Sequence, residues 1–309
     1  MSYPSRQLQK INRDESDIAD FFLKYGPSAR DCYNSCSADA LTKYESKVRR
    51  KVNNMSWDSL TELLTGQPVV TEMDQGSHMV LLVQPHPDDR SVSMTTIVTS
   101  TVSQLLWERD SDKKWQNHHR LLETLLREPS AQGSCASTFE PAFHALCVRG
   151  AEFDLYPMTR RGAGPVDFTF KKNRPESRDG SIKLTLDEGQ MRFLFGEKCP
   201  IESLLPKHYY QSITLNHPSC YSFVYDPVFH QISAFQATIA DKHDLASTGV
   251  RALRDLGQRL QINDLKIRII VVGVGDAPVI YKIEKDLFNS LRLQVYAIWV
   301  TESQLYPDS

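Results

Sequence analysis

The chain has 309 residues, 40% of them hydrophobic and 24% charged, with a formal net charge of -2. This is the balance of a globular protein with enough chain for a sizeable core, in one large domain or two ordinary ones. The near-neutral total excludes a global field that would steer the whole molecule to nucleic acid.

The first third reads as helical. Asp17 to Lys24 puts Ile18, Phe21 and Phe22 on one side, and Gly26-Pro27 stops that helix. A longer helix is expected from Ala38 to Val52, and another from Ser56, an N-cap, through Leu60, Leu63 and Leu64. The basic run "KVRRKV" at Lys47 to Val52 matches a short nuclear signal, but inside a helical pattern it also reads as a solvated face. "MVLLV" at Met79 to Val83 suits a strand, and "TTIVTSTVSQLLWER" starts β-branched and ends helical. A helix carrying Leu121, Leu122, Leu125 and Leu126 ends before Pro129, with His118 and His119 on its polar face. The next helix, "STFEPAFHALCVRG", is expected to be capped by Ser137 or Thr138, to hold Glu140 in its first turn, and to end at Gly150.

The remainder is strand-rich. "AEFDLYPM" and "VDFTFKK" read as two strands joined by a Gly-rich turn. In "SIKLTLDEGQMRFLF", Ile182, Leu184 and Leu186 alternate with polar residues before Asp187-Glu188-Gly189, which predicts a hairpin. "SFVYDPVFHQISAFQATIADKHDL" reads as strand, tight turn, strand and the start of a helix, which continues through Val250, Leu253, Gly257 and Leu260. "KIRIIVVGV" is the pattern of a strand buried on both faces. A helix near Ile283 to Leu291 and a last strand, "LQVYAIWV", complete an α/β fold, a mixed sheet flanked by helices.

Several chemistries are excluded. "VVGVGDAP" lacks the third Gly of a dinucleotide loop, no Gly-Lys-Ser/Thr phosphate loop occurs, and no Gly-x-Ser-x-Gly elbow is present. Cys32 and Cys36 lie four apart without a second pair at zinc spacing, so the six Cys read as reduced structural thiols of an intracellular protein. The start of the sequence has no apolar stretch of signal-peptide type and no run reaches membrane-span length, so cytoplasm or nucleus is the expected compartment and no membrane partner is expected. Arg30 follows a helix end and a Gly-Pro turn, as where some nucleotide-binding domains present an arginine to a phosphate; with no phosphate loop it reads as structural.

Gln236-Ala237-Thr238 has a second possible meaning. A spacing of two puts both polar side chains on one sheet face, the arrangement by which Glu-x-Lys meets one Mg²⁺ and its water in restriction-endonuclease-like nucleases. The plain alternative is a pair of hydrogen-bonding residues near a sheet edge.

The chain from Gly76 to Pro307 resembles the C-terminal region of Crinkler-type effector proteins. The resemblance rests on "FEPAFHALCVRGAEFDL", "HPSCYSF", "AFQATIADKHDL", "GVRALRDLGQRL", "IRIIVV" and "QVYAIWV". "YGPSAR" and the helices around it resemble the end of the nucleotide-hydrolysing domain that precedes this region in longer members, so residues 1–66 are expected to form a helical segment beside a restriction-endonuclease-like domain at 76–309. The resemblance implies an intracellular, Mg²⁺-dependent nuclease acting on DNA. It implies Gln236, Thr238 and His243 as catalytic and Glu140 as the helix acid at the metal; the Gln-x-Thr pair departs from the nuclease pattern by lacking the lysine, a place that Lys242 could fill from the helix start. In the family's Pro-x-x-Asp-x-Phe run, Tyr221 stands in the place of the metal-binding Asp. A neutral phenol is a poor Mg²⁺ ligand. Asp226, five residues on, would have to serve the metal through a bulge, or else begins the turn with Pro227. Two functions follow: a nuclease with a reduced metal site, or a pseudo-nuclease that binds nucleic acid or a partner protein without cutting.

Without a phosphate loop the purified chain should release no phosphate from ATP above background. Hydrolysis that disappears in Arg30→Ala would contradict this.

Overall fold

A computed structural model describes residues 15–35, 37–66, 77–85, 90–91, 93–109, 114–128, 132–163, 167–188, 191–195, 203–206, 208–212, 222–237, 242–244, 247–275 and 278–307. Helices α1 (Glu15–Tyr25), α2 (Ala29–Asn34), α3 (Ala38–Asn54) and α4 (Trp57–Thr65) open the chain. Their starts follow sequence chemistry. Ser28, Ser37 and Ser56 each accept a backbone N–H from the first turn, and Gly26, at φ +94°, turns the chain out of α1. In α3, Val48 and Val52 are buried while Lys47, Arg49 and Arg50 stay exposed, so the basic run is a solvated face over two core valines.

A small hairpin, β1 (Leu81–Pro85) and β2 (Ser93–Ile97), precedes α5 (Ser100–Glu108), α6 (Lys114–Arg127) and α7 (Gln132–Arg149). The ambiguous run at 95–109 divides at Thr99, which caps α5 and also donates its hydroxyl to the Lys24 carbonyl at 2.8 Å. Arg109 donates to the Val52 and Met55 carbonyls, both at 2.6 Å. Phe21, Tyr25, Tyr44, Val48, Leu60 and Leu64 bury into the same core as Leu122, Phe139 and Phe143. The helices before residue 66 therefore share a core with the helices that follow. His118 departs from the expected polar face. It is buried between Trp57 and Trp107, with ring centroids 4.6 and 4.3 Å away, while His119 reaches Glu302 at 2.9 Å.

The strands are β3 (Ala151–Pro157), β4 (Thr159–Ala163), β5 (Asp167–Lys172), β6 (Ile182–Leu186), β7 (Met191–Phe195), β8 (His208–Ser212), β9 (Ser222–Asp226), β10 (Gln231–Ala237), β11 (Lys242–Asp244), β12 (Lys266–Val274), β13 (Val279–Glu284) and β14 (Gln294–Val300). Helices α8 (Ser247–Arg259), α9 (Lys285–Leu291) and α10 (Glu302–Leu305) lie among and after them. The main sheet has eight strands in the order β6-β3-β14-β12-β10-β9-β8-β7, and a second sheet runs β11-β13-β5-β4. The fold is mixed α/β, a mixed sheet flanked by helices as expected from the sequence, and the sheet is curled.

The parallel trio β10, β12 and β14 is the centre. Along β12, Ile270, Val272 and Val274 enter the first core, under α7, while Ile267, Ile269 and Val271 enter a second core shared with α8 and the four-stranded sheet. Period-two alternation thus feeds two cores from one strand. The continuous apolar run of β12 follows from that double burial.

Three pairings differ from expectation. The predicted hairpin at 182–195 does not pair with itself: β6 joins β3, and β7 joins β8 at the opposite edge. Laid flat, eight strands would hold their edges about 34 Å apart at ~4.8 Å per strand. The five residue steps from Leu186 to Met191 span at most about 18 Å, so the covalent chain draws the two edges together and the sheet has to curl. Next, β3 does not pair with β5; β4 intervenes and forms the hairpin with β5. Finally, Lys242 and His243 do not start a helix. They lie in β11, and the helix begins at Ser247. Alternation of side chains reports which face is buried and not which strand is the neighbour, so β4, β8, β11 and β13 were all invisible to it.

α7 starts before the expected cap. It runs from Gln132 and carries Pro141 inside, so Glu140 is mid-helix and not a first-turn acid. An internal proline costs about 3 kcal/mol. Cys135, Phe139, Ala142 and Phe143, all nearly inaccessible, hold the helix through it. Gly150 ends α7 at φ +92°, where a Cβ would lie 2.7 Å from the Glu188 backbone nitrogen. Gly150→Ala should therefore destabilise by about 1–3 kcal/mol, read as a lowered urea midpoint at unchanged slope. A neutral result would remove the corner between α7, β3 and the end of β6.

Candidate functional site

β9 and β10 form the predicted hairpin, pairing Asp226 with Gln231, Ala234 with Phe223 and Phe235 with Ser222. Directly opposed residues share a sheet face. Phe235, Ser222, Val224 and Tyr209 belong to the first-core face; Ala234, Phe223 and Tyr210 belong to the second. Gln236 follows Phe235 and lies on the second-core face, in register with Val271 of β12.

Gln236 is 3% exposed, and its Oε1 accepts a hydrogen bond from the hydroxyl of Tyr281 on β13, itself fully buried. This bond joins the eight-stranded sheet to the four-stranded one. A buried amide left without a partner would cost a few kcal/mol, so the pair is a structural tie. The backbone of β11 sets His243 in register with Tyr281, and Lys242 with Ile280. Gln236 and the strand bearing His243 are therefore brought to one neighbourhood, with Tyr281 between them. Tyr221 and Thr238 lie outside the described residues, as do the side chains of Lys242 and His243.

Glu140 lies on the other side of the main sheet. Its Oε1 is 3.2 Å from Nε2 of His144, one helical turn on; His144 Nδ1 is 2.7 Å from the Tyr209 hydroxyl, which donates to Ser222 Oγ at 2.7 Å. His144, Tyr209 and Ser222 are all buried, and the Glu140 side chain is mostly so. The phenolic proton goes to Ser222; which His144 nitrogen carries a proton is set by the ring's tautomer, since a neutral imidazole donates from one nitrogen only. This is a largely buried polar network between α7, β8 and β9. It spends Glu140 internally, and Glu140 does not approach Gln236.

Asp226 stands at the far end of the hairpin. Its Oδ1 accepts from the backbone N–H of Val228 at 2.9 Å and of Phe229 at 3.2 Å, fixing the tight turn. It is paired with Gln231, five residues from Gln236, so about 17 Å of strand separates them. No bulge interrupts the described β9–β10 ladder, so Asp226 has no route to the face of Gln236.

A Mg²⁺ site needs one or two carboxylates converging at about 2.1 Å in octahedral geometry. Glu140, Asp226 and Gln236 do not converge, and among the described residues no group of three His, Cys, Asp or Glu is placed to hold a metal ion. The donors that are described do not fit the implied metal. Tyr281, Tyr209, His144 and Ser222, which organise these networks, were not anticipated. The i,i+4 spacing of Glu140 and His144 is the one signal that pointed to any of them. The thiols of Cys32, Cys135 and Cys147 are buried; burial pushes Cys135 up to about 12 and raises Cys147 as well.

No protein-family model matches the chain, and neither the curated proteins nor the solved structures gave a match. No helix among the described residues is long and apolar enough to cross a membrane.

The two-face arrangement is testable by urea denaturation of double mutants. Gln236→Leu and Glu140→Gln should add within about 0.5 kcal/mol, whereas Gln236→Leu and Tyr281→Phe should couple by more than that. Tyr209→Phe should cost about 1–3 kcal/mol by stranding His144 and Ser222. Coupling between positions 236 and 140 as strong as that between 236 and 281 would place them on one face and restore a shared site.

Proposed function

We propose that the chain is a nucleic-acid-binding module on a scaffold of the Crinkler nuclease type, and that its β9–β10 strand pair does not cut. One observation carries this reading: the two groups expected to meet at a metal, Glu140 and Gln236, are held on opposite faces of the main sheet, each in a buried hydrogen-bonded contact of its own. Releasing either one would leave a buried partner unsatisfied, so the arrangement resists being pulled into a metal site. The element order supports the scaffold: an antiparallel hairpin, then a helix, then a strand parallel to the second hairpin strand.

The rival reading, a Mg²⁺-dependent endonuclease, has one observation in its favour: the register of His243 with Tyr281 beside Gln236. A plasmid-nicking assay separates the two. The purified chain should leave supercoiled DNA intact with Mg²⁺ or Mn²⁺, at the level of buffer alone. Nicking that needs the divalent ion, stops with EDTA and falls in Gln236→Ala would overturn the binding-only reading.

A further inference from the structure

The outer face of the four-stranded sheet is neither apolar nor neutral. β4, β5 and β13 contain Arg160, Arg161, Lys171, Lys172 and Lys282 against only Asp167 and Glu284, in a chain whose total charge is -2. Register sorts these residues between the two faces. Phe168, Phe170, Val279, Tyr281 and Ile283 point into the second core. Arg161, Thr169 and Lys282 form one row across β4, β5 and β13, and Thr159, Lys171 and Ile280 form the next. Thr159, Arg161, Lys171 and Lys282 are exposed, and Thr169 is half-buried between them. Asp167 and Glu284 form the end row of the same face, and Glu284 lies 3.5 Å from Arg251; no ion pair with a described carboxylate engages Arg161, Lys171 or Lys282, which outnumber the two acids. The neighbouring β11 aligns Lys242 with Ile280 and Asp244 with Lys282, so Arg161 and Lys171 are the firmest members of the set.

We propose that this outer face of the β11-β13-β5-β4 sheet binds the phosphate backbone of a nucleic-acid duplex without reading its sequence; the proposal rests on the reading of the chain as a nucleic-acid-binding module. Charge complementarity selects the occupant. Arg161 and Lys282 stand two strands apart, about 10 Å. Lys171 lies two residues along β5 from Thr169, about 7 Å away. The cations are spread over an open face, which suits a line of charges better than a single anion in a pocket. Threonine hydroxyls among Lys and Arg are the groups that contact phosphate oxygens and sugars. The described residues of this face include no aromatic ring, so it offers no stacking platform for the bases of a single strand. Its described residues also include no Asn or Gln, the side chains that read adenine edges.

The test is fluorescence anisotropy with a labelled DNA duplex of arbitrary sequence, titrated with the full chain over a series of salt concentrations. The comparison is with Arg161→Gln/Lys171→Gln/Lys282→Gln, and with Lys47→Gln/Arg50→Gln on α3 as a control that removes two charges from another exposed face. Thermal melts establish that each variant is folded; the substituted side chains are exposed. The triple variant should bind at least about tenfold more weakly and lose about three from the slope of log affinity against log salt, while the α3 variant behaves as the parent. Unchanged affinity and slope in the triple variant, with a parent that binds, would overturn this face and leave the binding function standing. A parent that binds no duplex at low salt would overturn both. Displacement of the duplex by polyglutamate of equal charge as readily as by unlabelled duplex would show a dock for acidic protein segments and overturn the duplex assignment.

Discussion

The parallel ladder of β10, β12 and β14 is the constraint on which the rest depends. Because β12 is apolar on both faces, it cannot sit at a surface; it needs a helical layer on one side and a second layer on the other. α7, with α5 and α6 behind it, supplies the first. α8, α9 and the four-stranded sheet supply the second. Once β12 is fixed, the period of two assigns every neighbour on β10 and β14 to one core or the other. Phe235, Tyr296 and Ile298 go one way, and Ala234, Val295 and Ala297 the other.

That assignment also decides the polar chemistry. Each core contains a buried hydrogen-bonded device that ties separate elements. Glu140, His144, Tyr209 and Ser222 link α7 to β8 and β9 in the first; Gln236 and Tyr281 link the two sheets in the second. Low dielectric strengthens such bonds and makes their loss expensive. Polar residues that resemble catalytic groups in one dimension are, in this fold, the fasteners of layers. Their separation by one sheet thickness follows from adjacent positions, Phe235 and Gln236, pointing oppositely.

The second constraint is covalent. β6 and β7 occupy opposite edges of the main sheet although a few residues join them, so the sheet bends until the linker can span the gap. The four-stranded sheet then covers the second core with its apolar face and leaves its other face to solvent, where Arg161, Lys171 and Lys282 lie. A near-neutral chain can in this way hold a locally basic surface, since the total charge carries no information about its distribution.

Local chemistry was legible in the sequence. The serine cap of α4, the glycine exits at Gly26 and Gly150, the Asp226 turn, the β9–β10 hairpin and the double burial of β12 depend on contacts within a few residues or on a composition that admits one environment. Both Phe235 and Gln236 could be assigned to a strand, and their opposite faces followed from it. What lay on each face could not be read, because the partners are distant in sequence: Tyr281 for Gln236 and Tyr209 for His144. The same holds for the lost hairpin at 182–195, whose two strands were readable while β3 and β8 supplied their neighbours, and for Pro141, carried inside α7 by core contacts that outweigh its local cost. The sequence by itself determined where elements begin, end and turn, because those choices are made by short-range sterics and hydrogen bonds. Tertiary structure alone decided which strands are adjacent and which polar groups meet, because pairing energy depends on long-range burial that no local pattern encodes.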